Sequence, residues 1–222
     1  DISVIDTATL TEIKRLPASR RPWSLALSPD GSRLVVTNAL SRFVPFRTPP
    51  VSEVTVLDVA GARVEDRVVL REANLLLGAA WNPSGEFALV TLNRTKNLVP
   101  MTRMQQGWTI TNGIGIVWKD GTADQVLLDT PNHYFADATD VAFTPDGKRA
   151  LVTSAGTDRV AVVDVGRLTA LLTGATKEER SEVLPNHLGQ SAGFVVAEIP
   201  VRNSPRGVTV APDGKVAYVA NS

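Results

Sequence analysis

Apolar and polar residues along this chain follow one pattern that occurs four times. A short apolar run leads into a four-residue turn, and the turn leads into a run in which apolar and polar residues alternate. Proline fixes φ at the second turn position, Asp or Ser bonds the local backbone, and glycine accepts a positive φ. The four turns are Ser28-Pro29-Asp30-Gly31, Asn82-Pro83-Ser84-Gly85, Thr144-Pro145-Asp146-Gly147 and Ala211-Pro212-Asp213-Gly214. Each turn joins two β-patterned runs, so the sequence predicts four β-hairpins.

Each of the first three hairpins is followed by two further β-patterned runs, which gives repeat units of four strands. The units cover residues 23–71, 77–129 and 139–200, and a fourth unit, 207–222, is completed by residues 1–17. Four-stranded antiparallel meanders repeated around an axis are the blades of a β-propeller. The predicted fold class is therefore all-β, a β-propeller of four-stranded antiparallel blades in a single domain over residues 1–222.

The third unit contains an insertion with helical periodicity. Residues 166–192 place Leu168, Leu171 and Leu172 at helical spacing, followed by a glycine and a second short helical stretch. We expect these helices to cap their own blade. The alternative is a helix that docks a neighbouring domain.

The strand consensus resembles that of the YVTN-repeat β-propellers, which occur in surface-layer-like and cytochrome-associated proteins of bacteria and archaea. The resemblance lies in Leu-Val-Val-Thr-Asn at 34–38, Val-Ala-Val-Val-Asp-Val at 160–165 and Ala-Tyr-Val-Ala-Asn-Ser at 217–222, with Ile-Ser-Val-Ile-Asp at 2–6. It implies a ring of about seven blades, a periplasmic or extracellular location, and association with c-type cytochrome or peroxidase-like domains. We therefore expect a piece of a larger ring, with a closed four-bladed ring as the alternative.

Composition narrows the range of functions. The 222 residues contain 23 Lys plus Arg and 23 Asp plus Glu, so no net charge favours nucleic acid. The sequence has no cysteine, which excludes disulfides, thiolate metal sites and covalent haem attachment within these residues. Any haem would belong to a partner or to another domain. No apolar run is long enough to span a membrane.

Two long loops between the second and third strands of their units are candidate partner-binding surfaces. Loops 40–52 and 94–112 together hold five cations, no carboxylate, and several aromatic residues and methionines. Arginine and aromatic residues are favoured at protein interfaces. The candidate residues are Arg42, Phe43, Phe46, Arg47, Arg94, Lys96, Arg103 and Trp108. The alternative is that these loops fold back onto their own blades.

Charged residues in the loops between units are expected to surround the mouth of the propeller channel. They are Arg20, Arg21, His133, Asp137, Asp140 and Arg206. The arginines are placed to clamp a ligand carboxylate or phosphate; the alternative is that these charges pair with one another. No metal site is predicted, because a lone histidine beside two carboxylates does not supply a matched ligand set.

No nucleophile, phosphate-binding or metal motif is present, so no catalytic residue is assigned. The leading hypothesis is a non-catalytic secreted or periplasmic scaffold that binds a protein or a ligand. The alternative is the propeller part of a redox enzyme or electron-transfer assembly with a haem-containing domain. A lactonase-like hydrolase is a third and weaker hypothesis, because no Glu lies in the loops at the channel mouth.

Overall fold

The computed structural model describes residues 1–95 and 110–222, and its strands form successive antiparallel sheets. A first pair consists of β1 (Ile2–Asp6) and β2 (Thr11–Leu16). Blade I follows as β3 (Pro22–Leu27), β4 (Arg33–Asn38), β5 (Val51–Asp58) and β6 (Arg63–Arg71), paired in that order. Each strand of blade I therefore pairs with the next strand along the chain, as the predicted meander requires.

Blade II has the same order with one short addition. Its strands are β7 (Ala73–Asn74), β8 (Ala79–Trp81), β9 (Phe87–Thr95), β10 (Ile110–Trp118) and β11 (Ala123–Leu127). Both β7 and β8 pair with β9, and β11 forms the outer edge.

Blade III contains β12 (Ala138–Phe143), β13 (Arg149–Ser154), β14 (Arg159–Asp164) and β15 (Val195–Pro200). A last pair consists of β16 (Pro205–Val210) and β17 (Ala217–Asn221). The predicted four-stranded antiparallel sheets are confirmed. The pairs β1–β2 and β16–β17 form separate two-stranded sheets, so the joining of 207–222 with 1–17 into one blade stays a prediction.

The four repeated turns have the backbone that their sequences predict. Gly31, Gly85, Gly147 and Gly214 all have positive φ, between 69° and 76°. In the first turn, the Asp30 carboxylate accepts hydrogen bonds from the Ser28 hydroxyl at 2.6 Å and the Ser32 amide at 3.0 Å. These bonds hold the pKa of Asp30 well below its usual range.

A threonine in the second strand of each complete blade fixes the innermost strand beside it. The Thr37, Thr91 and Thr153 hydroxyl oxygens accept hydrogen bonds from the amides of Ser24, Gly78 and Asp140 at 2.9–3.0 Å. Because the same contact recurs in three blades, the recurring threonine has a structural role.

Successive antiparallel strands define two faces of the molecule. The Pro-Asp-Gly and Pro-Ser-Gly turns and the connections from third to fourth strands lie on one face, which we call the turn face. The connections from second to third strands and those between blades lie on the opposite face, which we call the loop face. Apolar side chains pack between neighbouring sheets to form the core.

The helical insertion spans two blades. It comprises α1 (Val165–Gly174), a π-helical turn (Glu179–Val183) and two 3₁₀ turns (Leu184–Asn186 and Gln190–Gly193). Leu168 and Leu172 of α1 are buried in the core between blades II and III.

The later part of the insertion contacts blade II. Arg180 Nε donates to Asp124 of β11 at 2.8 Å, and the Gly189 amide donates to the Asp129 carbonyl at 3.1 Å. The insertion therefore packs α1 against its own blade, as expected, and also covers the outer edge of the neighbouring blade. In the part of the chain that the structure describes, no helix has the length and apolar character needed to span a membrane.

Candidate functional site

The loop between β4 and β5 presents two exposed aromatic rings, each beside an arginine. Phe43 is 86% exposed and Phe46 is 91% exposed. The Arg20 guanidinium carbon lies 3.8 Å from the centre of the Phe43 ring, and that of Arg47 lies 5.5 Å from the centre of Phe46. We call residues 39–50 the aromatic loop. Neither ring packs into blade I, in contrast to the alternative that this loop folds back onto its own blade.

Hydrogen bonds from blade I hold the aromatic loop in place. Arg20 Nη1 donates to the Ser41 carbonyl at 2.7 Å, and the Arg42 amide donates to the Val51 carbonyl at 2.7 Å. The Arg42 guanidinium also pairs at 3.3 Å with Glu53, whose side chain is buried and accepts a hydrogen bond from Ser19. The Glu53 carboxylate is thus already bound by Arg42 and Ser19. The exposed surface of the aromatic loop therefore carries arginines and phenylalanines.

Arg94 does not belong to this exposed surface. It lies within β9, and its side chain is 5% exposed. Its guanidinium donates to Glu72 at 2.6 Å, to Gln125 at 3.0 Å and to Asn186 at 3.3 Å. The expectation that Arg94 lies in an exposed loop is therefore wrong, because β9 extends further than expected and buries this residue. Lys96, Arg103 and Trp108 lie outside the described residues.

The predicted channel-mouth residues do not assemble into one clamp. Arg20 stacks on Phe43, and the Arg21 guanidinium carbon lies 5.5 Å from the centre of the Trp23 ring. Arg206 is exposed. Over residues 1–95 and 110–222, no ion pair joins these arginines to Asp137 or Asp140.

His133 lies in a cluster with the outer strands of blade III rather than with the two aspartates. Its Nε2 lies 2.7 Å from the Glu198 carboxylate, and Arg159 pairs with the same carboxylate at 2.7 Å. The loop turns His133 outward onto β14 and β15, and its role in ligand binding stays a prediction.

Asp140 links neighbouring blades. Its carboxylate accepts a hydrogen bond at 2.9 Å from the Val208 amide of β16, and burial raises its pKa. A Cβ placed on Gly78 of blade II would lie 2.5 Å from the Asp140 Cα and 2.9 Å from its carboxylate, so only glycine fits there. Asp137 has a positive φ of 53°, and its amide donates to Asn112 at 3.0 Å.

Asp129 is a buried carboxylate that sequence reasoning missed. It accepts hydrogen bonds from the amides of Asn112 and Phe135, and burial raises its pKa. Through these hydrogen bonds Asp129 fixes the conformation of the loop between blades II and III. No local motif marks such a residue, because its partners are backbone amides 6 and 17 residues away along the chain. The described ranges contain no group of three side chains able to hold a metal ion.

Comparison with known proteins gives a similarity that extends over almost the whole chain. No family model matches the chain. It is 29% identical over 227 residues to hydrazine synthase subunit beta of Kuenenia stuttgartiensis, an alignment that covers 99% of this chain and 56% of that protein. A solved structure of Kuenenia stuttgartiensis hydrazine synthase superimposes with a TM-score of 0.89 at 28% identity, covering 99% of this chain and 61% of that one.

Two more distant structures support the fold alone. The periplasmic gluconolactonase PpgL of Pseudomonas aeruginosa matches with a TM-score of 0.58 at 18% identity over 97% of this chain and 55% of that one. The β-propeller domain of Cps50 (Swd1) from Myceliophteria thermophila matches with a TM-score of 0.63 at 11% identity. This match covers 99% of this chain and 55% of that one. The chain is thus a partial β-propeller spanning little more than half of its relatives, and it is similar to the beta subunit of hydrazine synthase.

Proposed function

We propose that this chain is the propeller part of a multi-subunit redox enzyme resembling hydrazine synthase, in which it binds a partner subunit. The observation that carries this proposal is the similarity to hydrazine synthase subunit beta over 99% of the chain, with a TM-score of 0.89 to a solved hydrazine synthase. This favours the redox-assembly hypothesis over a stand-alone scaffold. The likeness to the gluconolactonase, at 18% identity, is too distant to support hydrolase activity.

The aromatic loop is the surface that we assign to partner binding. Exposed phenylalanines supply apolar area for an interface, and the adjoining arginines supply charge and hydrogen bonds. Arg20 bonds the Ser41 carbonyl of the loop and Arg42 pairs with Glu53 of β5, so the loop is largely preorganised and loses little entropy on binding.

The charges and aromatic rings of this surface indicate what kind of partner surface it can bind. Arg20, Arg42 and Arg47 carry positive charge around Phe43 and Phe46, and the nearby Glu53 is buried against Arg42. Electrostatic complementarity requires an acidic partner surface with apolar pockets for the two rings. We propose that this partner is an acidic, haem-carrying subunit or domain. A periplasmic or extracellular location is proposed with it, on the family resemblance.

A chimaeric subunit tests this proposal. The matched region of the Kuenenia stuttgartiensis subunit beta is replaced by this chain, and assembly with the remaining hydrazine synthase subunits is followed by size-exclusion chromatography. We expect the chimaera to assemble and Phe43→Ser/Phe46→Ser to weaken assembly at least tenfold. Val196→Ser/Ile199→Ser, two exposed apolar residues on β15, serves as the control. A folded chimaera that stays separate from the other subunits would contradict the proposal.

A further inference from the structure

The two-stranded sheets β1–β2 and β16–β17 each have a strand with a free backbone edge. Among residues 1–95 and 110–222, β1 pairs only with β2 and β17 pairs only with β16, and no pairing joins the two sheets. Both β1 and β17 have five residues. A free edge presents unpaired N–H and C=O groups, and an antiparallel strand of similar length satisfies them. Each of the two sheets can therefore accept a further strand.

Apolar side chains near these edges are exposed at positions that are buried elsewhere in the repeat. Counted from the turn glycines, Leu27 of β3 corresponds to Trp81 of β8. Leu27 is 55% exposed, whereas Trp81 is 9% exposed. Tyr218 of β17 corresponds in the same way to Val35 of β4. Tyr218 is 64% exposed, whereas Val35 is fully buried. Leu27 and Tyr218 thus lack the neighbouring blade that covers their counterparts.

The interface between blades I and II shows how such positions pack. Trp81 and Ala79 of β8 contact the apolar cluster that contains Val35. The Trp81 indole Nε1 also donates to the Ala26 carbonyl of β3 at 3.0 Å. The first strand of one blade therefore packs on the first two strands of the blade before it.

On the opposite side of blade I, the equivalent packing is only half formed. The β1–β2 pair covers β4 and β5 there, and the buried cluster between them consists of Ile2, Leu16, Val36 and Leu57. On the same face, β3 stays uncovered, and its exposed residues are Trp23, Leu25 and Leu27. A two-stranded hairpin that paired with β1 would lie over these three side chains.

We propose that a second copy of this chain supplies that hairpin, so that two copies close into one ring of eight blades. The β17 strand of each copy pairs with β1 of the other copy, and β16, β17, β1 and β2 then form one four-stranded blade. Each copy contributes three complete blades, and the two copies share two more. Eight blades lie within the range of known propellers. A two-fold axis relates the two contacts, so the ring closes and these edges are paired.

The register of the complete blades fits this pairing. In blade III, Leu151 of β13 lies opposite Val162 of β14. The same register places Tyr218 of one copy opposite Val4 of the other. Residues opposite each other point to the same face, and Val4 already packs on blade I. Tyr218 would therefore face the uncovered residues of β3.

The length of the relatives agrees with a ring made from two copies. The chain spans 56% of the hydrazine synthase subunit beta and 61% of the chain in the solved hydrazine synthase. Two copies together therefore supply slightly more than the length of one such subunit. Each ring would carry two aromatic loops, neither of which takes part in the contact between copies.

Light scattering after size-exclusion chromatography of the purified chain tests the inference. We expect a molar mass twice that of one chain. Leu25→Ser/Leu27→Ser removes exposed apolar area from the contact and is expected to weaken the dimer by roughly tenfold or more. The control is Phe43→Ser/Phe46→Ser, which removes two exposed apolar residues of the aromatic loop and should leave the dimer unchanged.

A disulfide between the proposed partner strands tests where the copies meet. The chain has no cysteine, so Val4→Cys/Tyr218→Cys introduces one possible type of pair. We expect oxidation to link two chains covalently. Leu10→Cys/Tyr218→Cys, with Leu10 exposed in the β1–β2 turn, is the control and should stay unlinked.

The outcomes separate this inference from the proposed function. A folded chain that is monomeric overturns the inference and leaves the aromatic loop unaffected, because other blades or another protein would then cover these faces. A disulfide within one chain also overturns it, since that link would indicate a closed four-bladed ring. A dimer that is lost only in Phe43→Ser/Phe46→Ser would place the contact on the loop face, which contradicts the inference as well.

Discussion

Individual residues in this chain show how burial changes the role of a charge. Arg94 joins the end of blade I, blade II and the helical insertion through hydrogen bonds to Glu72, Gln125 and Asn186. Its Nε has no hydrogen-bond partner among the described residues, and burial lowers the pKa of the guanidinium. A buried charge is retained at a cost in desolvation, and removing it leaves its partners unpaired. The role of Arg94 is therefore structural.

Substitution of Arg94 measures that role. We expect Arg94→Ala to lower the free energy of unfolding by about 2 to 3 kcal/mol, because Gln125 and Glu72 lose their donor. The matched control is Arg63→Ala, since Arg63 is 66% exposed and pairs with Asp58 at 3.0 Å. An exposed pair contributes at most about 1 kcal/mol. If urea denaturation showed the same decrease in the free energy of unfolding for both variants, this account would be contradicted.

Two aspartates are expected to give opposite pH dependences. Burial raises the pKa of Asp140, so its contribution to stability is greatest in acid and falls as pH rises through that raised value. Asp140→Asn should keep the hydrogen bond from the Val208 amide and raise the free energy of unfolding at neutral pH by roughly 1 kcal/mol. The free energy of unfolding should also change less with pH in this variant than in the parent protein. Urea denaturation between pH 3 and 8 checks this, and an unchanged profile would exclude the assignment.

The contribution of Asp30 to stability is expected to change with pH in the opposite direction. Hydrogen bonds from Ser28 and Ser32 lower its pKa, so its contribution is present at neutral pH and is lost as pH falls below the ordinary carboxyl range. We expect Asp30→Asn to be destabilised at pH 7 and to approach the parent protein in strong acid. A loss that is constant with pH would indicate that the turn geometry, rather than the charge, is responsible.

At the scale of elements, the helical insertion protects an edge strand. An uncovered edge such as that of β11 offers free backbone groups for unwanted pairing. The insertion covers this edge and is held there by Arg180 on Asp124 and by the Gly189 amide on the Asp129 carbonyl. The sequence predicted the helices from leucine spacing, but their path depends on contacts 56 and 60 residues apart that no local pattern encodes.

Loosening that anchor is expected to expose β11. Arg180→Gln removes the ion pair with Asp124, so amides over residues 123–127 should exchange with solvent at least tenfold faster in hydrogen-exchange mass spectrometry. Arg167→Gln, at an exposed residue whose guanidinium lies 3.8 Å from Asp164, is the control and should leave β11 unchanged. Equal protection in both variants would mean that Arg180 does not hold the insertion.

At the scale of the whole molecule, the regular parts of the fold were predictable from the sequence, and the candidate site was predictable only in part. The four turns predicted the hairpins, since Pro and Gly impose their backbone locally, and the repeat then predicted the blades. Phe43 and Phe46 were identified from composition, whereas Arg94 and His133 were misplaced because strand length and loop direction depend on tertiary packing. Asp129 was missed for the same reason.

The central claim is that the aromatic loop binds a partner subunit of a redox enzyme. Hydroxyl-radical footprinting of the native assembly and of the isolated chain tests it most directly, because this method reads the accessibility of single side chains. We expect Phe43 and Phe46 to be oxidised much less in the assembly than in the isolated chain. The exposed Leu10 in the β1–β2 turn should be oxidised to the same extent in both. Phenylalanines as reactive in the assembly as in the isolated chain would contradict the account.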